Sequence, residues 1–416
     1  MNAFSERVLG RDWFPLLRPL HRLANALLAA FALASCGGGV GELVSGVGSG
    51  GSGIAEGTIT GFGSVLVDDL RYDDSRARLK RQSATGETSV DSLKIGQRVR
   101  VVSAQAGIAD SVEVLADLLG PVQEAGAAAG GVQWLRVVGQ WVRIESSAAA
   151  EVALTVLDDN GDNCGNDCRP IGVGVWVEVH GDWVFDSGKQ AHVLRASRVE
   201  RASPADQVLI SGIAQQRGAT VRINSASGTE IKLAGDLATA EANQLIRAWI
   251  PAEPAVWASV SASRAIRGSL AASSGSAPAV LGGAVDEVDG DAVVINGTRI
   301  TIPKGFAGTR PERGQTIRAE IEKTSEGGWQ LKAQPSAPEG SSRGVVKIES
   351  EISGSEASRL SAGLKLRGTA IAGVAADKLA AGGCTAVAAS AKVKVSITAR
   401  RGPLPLQADS VSCRAD

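Results

Sequence analysis

Residue types that perform acid–base and nucleophilic chemistry are scarce in this chain. Among 416 residues there are three His, one Tyr and one Met. His180 and His192 are the two histidines beyond the N-terminal region. If Asp186 to Lys189 form a hairpin turn, His192 lies near Trp183 rather than beside His180. Neither histidine adjoins a nucleophile motif, and no His-Glu-x-x-His zinc helix occurs. Carboxylates are plentiful, but spacing singles out no pair. General acid–base catalysis needs positioned groups that this pattern does not display, so the chain reads as a non-enzymatic protein. A formal net charge of −1 offers no basic patch of the kind that neutralises phosphates, which leaves nucleic acid out of the expected partners.

Two clusters could bind. Trp134, Trp141, Trp176 and Trp183 are half of the eight tryptophans. Exposed aromatic rings on a small barrel stack on sugars or bases; buried ones fill a core. Odd spacing within each pair puts its members on opposite faces of a regular strand, so one of each pair is expected to face outward unless a turn intervenes. The second cluster runs from Leu157 to Arg169 and gathers Asp158, Asp159, Asn160, Asp162, Asn163, Asn166 and Asp167. Calcium takes six to eight such oxygens. Asp158-x-Asn160-x-Asp162 resembles the start of an EF-hand-like loop, and the match then fails, since Asn163 stands where the loop glycine belongs and Arg169 replaces the bidentate glutamate. Calcium held by Asp158, Asn160, Asp162 and Asp167 is one expectation, and a solvated hairpin tip of ordinary turn residues is the other. No other cofactor is expected.

The N-terminus carries an address. Arg7, Arg11, Arg18 and Arg22 precede an apolar run from Leu23 to Ser35, too short for the roughly 20 helical residues that span a bilayer. Leu33-Ala34-Ser35-Cys36 followed by three glycines resembles the lipobox of bacterial lipoproteins. That resemblance implies a lipidated Cys36 as the mature N-terminus, anchored in the cell envelope, with Gly37 favouring the outer membrane. A cleaved secretory signal with an unmodified Cys is the competing reading. Gly37 to Gly53 then reads as a flexible Gly/Ser tether. In an exported chain the remaining Cys164, Cys168, Cys384 and Cys413 are expected to form disulfides. Sequence proximity and module boundaries favour Cys164–Cys168 and Cys384–Cys413. A four-thiolate zinc site competes, but the spacing is not Cys-x2-Cys twice.

From Ile54 onward apolar residues alternate and turns are rich in Gly, Asp and Asn, which predicts strands, with at most a short helix near Asp236 to Arg247. The pattern repeats. Gly96-Gln-Arg-Val-Arg-Val recurs at Gly174 and Gly314, with weaker copies at Gln244 and Ser390, giving spacings of 78, 70, 70 and 76 residues. Regular spacing of this kind marks tandem copies of one unit. Each copy opens on a glycine and a short strand: Gly57, Gly120, Gly212, Gly283 and Gly344. About five short strands per unit can close into a small barrel that hides its edges, with an open sandwich as the alternative.

Gly57-Thr-Ile-Thr-Gly-Phe-Gly-Ser-Val-Leu-Val resembles the signature of a bacterial domain family of unknown function found as tandem repeats in lipoproteins. The resemblance implies a small barrel similar to the oligonucleotide/oligosaccharide-binding type and carries no activity with it. The glycines read as structural, permitting close backbone approach or a bulge. The expected organisation is an all-β chain: signal peptide 1–35, lipidated Cys and tether 36–56, barrel modules 57–118 and 119–203 (the latter with the acidic Cys loop), β module 204–267, linker 268–281, β module 282–333, linker 334–342 and β module 343–416. The expected role is a lipid-anchored envelope binding module for a glycan or protein partner, with a structural spacer as the alternative.

Overall fold

Among the hairpin turns with a non-glycine residue in the left-handed region are those at Asp68, Val138, Asn224 and Asn296, with φ from 44° to 67°. Each sits against the glycine that opens its own segment. A Cβ on Gly57 would lie 2.0 Å from Asp68 Oδ2, one on Gly212 would lie 2.4 Å from the Asn224 amide, one on Gly120 would lie 2.4 Å from Val138 Cγ1, and one on Gly283 would lie 3.0 Å from Asn296 Nδ2. In the first and third segments the turn side chain then accepts from the N–H that follows the glycine. Thr58 donates to Asp68 Oδ1 at 3.4 Å and Ile213 donates to Asn224 Oδ1 at 2.9 Å. In the second segment the following residue is Pro121, which has no N–H, and the turn residue is the apolar Val138.

The computed structural model describes residues 48–49, 53–145, 154–159, 170–252, 257–268, 270, 278–385 and 387–415. Cys36, the signal segment, most of the tether, Cys164, Cys168, Asn160, Asp162 and Asp167 lie outside the described residues. Val47–Asp416 cluster as one unit, and the described part is nearly all strand.

The second segment closes into a five-stranded barrel. Leu118–Ala125 pairs with Val132–Val137, which pairs with Gln140–Glu145; that strand runs parallel to Ala191–Arg201, which pairs with Trp176–Asp186, and the last returns to Leu118–Ala125. Its fully buried Leu118, Leu135, Val142, Ile144, Val177, Val179, Leu194 and Val199 belong to one core. The expectation of a small all-β barrel holds here.

Sheets also run across the segments. Leu119 pairs with Leu209, which joins the barrel to the third-segment strands Gln207–Ile213, Leu245–Pro251 and Arg264–Arg267. The long strand Gly53–Phe62 runs parallel to both Ala279–Asp289 of the fourth segment and Val345–Ser353 of the fifth. Here the motif glycines make room: a Cβ on Gly61 would strike Lys347 O at 2.1 Å, and one on Gly63 would meet Glu349 at 2.6 Å. The segments are therefore fused side by side rather than strung on linkers. Residues 334–342, expected as a linker, carry the short helix Glu339–Ser342 with Gly340 and Ser341 buried, because Gly340 donates to Asp69 Oδ2 at 3.1 Å and Ser341 to Asp68.

The turn before the strands Arg98–Ser103, Leu245–Pro251 and Thr316–Lys323 also recurs. Gln97, Gln244 and Gln315 each accept from the N–H three residues earlier, at 2.9, 3.2 and 3.1 Å. A left-handed residue precedes each: Gly96, Asn243 and Gly314. In the third of these turns the left-handed position is Asn243, one residue before the Gln244 anchor read from the sequence, because Asn takes the left-handed position that glycine takes in the other two. Asp236 to Arg247 make turns and the start of a strand instead of a helix. Cys384 and Cys413 form the expected disulfide, which ties the last strand, Ala408–Ala415, to the turn after helix Ala376–Ala381.

Candidate functional site

Trp134 and Trp141 stand together on the outer face of the barrel. Their strands form a hairpin in which Trp134 lies opposite Arg143 and Trp141 opposite Arg136. The turn at Val138 and Gly139 folds the seven-residue spacing back on itself, so both rings emerge on one face. The expected split of this pair across two faces is corrected by that turn. The rings meet edge to face, with centroids 6.3 Å apart, and both are half-buried. Lys189, in the turn between Trp176–Asp186 and Ala191–Arg201, places Nζ 3.8 Å from the Trp141 centroid and 4.9 Å from that of Trp134. Its backbone N–H is fixed by Asp186 Oδ1 at 2.8 Å. Arg136 approaches the same Trp141 ring at 5.3 Å but is paired with Glu124. No carboxylate among the described residues pairs with the Lys189 ammonium, so this cation is held by the aromatic rings alone.

Beside Trp141 a cleft of about 230 Å³ opens between the barrel and the third segment. Trp141, Trp257, Gln140, Asn224, Thr229 and His192 line it. Its amides are already ordered: Asn224 Nδ2 donates to Gln140 Oε1 at 2.6 Å, and Gln140 Nε2 donates to Thr229 Oγ1 at 3.0 Å. His192 Nε2 lies 2.8 Å from Asp286 Oδ2, while its Nδ1 is buried with no hydrogen-bond partner. Two aromatic rings, ordered amides and a cation together form the mixture that small polar ligands require.

The other sequence candidates fall elsewhere. Trp183 is fully buried, and its Nε1 donates to Ser211 Oγ at 3.2 Å; it belongs to the core and not to a binding face. Trp176 is half-buried against the same core. Asp158, one of the expected calcium ligands, accepts from Arg198 at 2.5 Å, so a neighbouring guanidinium engages one of its oxygens. His192 pairs across the hairpin with Phe185, and Trp183 with Leu194, which keeps the two histidines apart as the turn requires.

Sequence reading missed two charged clusters. Glu178, His180 and Glu200 bring three ligand-type atoms within 4.8 Å of one another. Cations already fill that cluster: Arg81 reaches Glu178 at 2.6 Å, while Lys94 and Arg198 each reach Glu200 at 2.8 Å. Burial works against ionising Glu178, but His180 and Arg81 hold its carboxyl down at about 2. This network joins the first and second segments. The second cluster centres on Asp182, which accepts from Arg98 at 2.6 Å, Asn296 at 2.9 Å and the Ala284 N–H at 3.1 Å. Nearby, burial pushes Asp68 up to about 6 against the opposing pull of Ser341 and Arg98. Both clusters are internally paired and read as joints between segments. Gly340-Ser341-Ser342-Arg343-Gly344 has the spacing of a serine-hydrolase elbow, but the Ser342 hydroxyl donates to Pro338 O at 2.6 Å and no histidine among the described residues bonds it.

Against family models, curated proteins and solved structures the chain finds no match.

Proposed function

We propose that this chain is a lipid-anchored cell-envelope protein, built from tandem copies of one small β unit, that binds an acidic glycan on the second copy. The observation that carries the binding reading is the Lys189 ammonium lying over the paired faces of Trp134 and Trp141 at the mouth of the Gln140/Asn224 cleft. A pyranose ring can stack on tryptophan, and a carboxylate on that ring would find an ammonium with no competing counter-ion. In small barrels of this kind the face of the second and third strands, with the turn between the fourth and fifth, is the usual ligand platform. Trp134, Trp141 and Lys189 occupy those places. The envelope location rests on the Leu33-Ala34-Ser35-Cys36 motif and the Gly/Ser tether.

The test is titration of the full-length protein with a uronic-acid oligosaccharide and with its uncharged counterpart, with tryptophan fluorescence as the readout. Trp141→Ala should abolish the response. Lys189→Gln should weaken the acidic ligand about tenfold and leave the neutral one unchanged. Repeating the titration with calcium and with chelator tests whether the acidic loop contributes. The spacer alternative draws on the tether; sheets shared between segments do not favour independent beads on a string.

A further inference from the structure

A second cavity, also of about 230 Å³, opens where the first three segments meet, and it shares no lining residue with the tryptophan cleft. Its walls are apolar: Val114, Leu115, Leu119, Leu209, Trp249 and Ile266. An apolar cavity of about 150 Å³ is enough for benzene, so this one has room for a chain of roughly eight carbons. Four guanidinium groups also line it, those of Arg81, Arg100, Arg247 and Arg267. Three have carboxylates: Arg81 has Glu178 at 2.6 Å, Arg100 has Glu56 at 2.5 Å and Glu113 at 3.6 Å, and Arg247 has Asp117 at 2.9 Å. Arg267, exposed at the edge, has no carboxylate within ion-pair distance among the described residues. Arg81 Nε is buried and donates to no acceptor.

An apolar cavity with an unpaired guanidinium at its edge is complementary to a ligand that is apolar along its length and carries an anionic acceptor at one end. We propose that this cavity binds a medium-chain carboxylate, with the chain against Trp249, Leu209 and Ile266 and the head group at Arg267.

The test uses the full-length protein and isothermal titration calorimetry with octanoate and octanol. Octanoate should bind saturably, with octanol at least about tenfold weaker. Arg267→Gln should weaken octanoate about five- to tenfold without changing octanol. Ala205→Trp, at an exposed lining position, should block both ligands without unfolding the chain. Trp141→Ala should leave octanoate affinity unchanged, which separates this site from the glycan reading. No saturable octanoate binding, equal affinity for octanol, or unchanged octanoate affinity in Ala205→Trp would overturn the proposal.

Discussion

Replacing Asp182 with Ala should cost far more than removing any surface carboxylate, and the structure indicates how much. The Arg98 side chain is 3% exposed and its Nη1 lies 2.6 Å from Asp182 Oδ1. Without Asp182 a buried guanidinium loses its anion, which typically costs about 3–5 kcal/mol. The buried Ala284 N–H and Asn296 amide lose their acceptor as well, at about 1–3 kcal/mol for a stranded donor. These losses overlap, so the expected total is about 4–6 kcal/mol, a large part of the stability of a typical fold. Asp182→Asn keeps the shape and an acceptor but not the charge and should lose about 2–3 kcal/mol. Asp289 is the control. It pairs with Arg299 at a similar 2.9 Å, but both side chains are 58% exposed, and Asp289→Ala should lose less than about 1 kcal/mol. Urea titrations at pH 7, read by midpoint at constant m-value, decide the matter. A loss below about 1.5 kcal/mol for Asp182→Ala would refute the argument that this carboxylate joins the first, second and fourth segments.

Other outcomes follow from the same reasoning. Asn224→Ala strands the Ile213 N–H and the Gln140 carbonyl and should lower stability by about 2–4 kcal/mol; a thermal melt within error of wild type would contradict the turn device. Removing the Cys384–Cys413 bond, which spans 29 residues, should cost about 3–4 kcal/mol on the loop-entropy account, seen as a urea midpoint that falls on reduction; an unmoved midpoint would contradict it. Burial raises Asp68 from 3.8 to about 6, so between those pH values the folded chain keeps a proton that the unfolded chain has released. Stability from this group is full below pH 4 and is lost as pH rises through 6, by about 2–3 kcal/mol. Asp68→Asn should flatten the pH 4–6 slope in thermal melts, and an unchanged slope would exclude Asp68 as its source.

The strands were legible because alternation and Gly-rich turns report one buried face directly, and the barrel followed from five short strands per unit. Gly61 and Gly63 were legible as positions of close approach. What approaches them was not, since the Lys347 carbonyl and Glu349 arrive only once the chain has folded. The tryptophan faces were misjudged because strand parity says nothing across a hairpin, and Trp134 and Trp141 straddle one. The joints were invisible for a related reason: Arg98 meets Asp182 across 84 residues and Asp286 meets His192 across 94, and no local pattern marks residues that pair only through tertiary placement. The contact that Asp158 makes with Arg198 was equally hidden, since the two lie 40 residues apart.

Binding at the Trp134–Trp141–Lys189 face is the central claim, and fluorescence titration with a uronic-acid oligosaccharide, wild type beside Lys189→Gln and Trp141→Ala, tests it most directly. The account predicts a saturable change in the wild type, about tenfold weaker in Lys189→Gln and absent in Trp141→Ala. A flat wild-type response, or the same affinity in all three proteins, would contradict it.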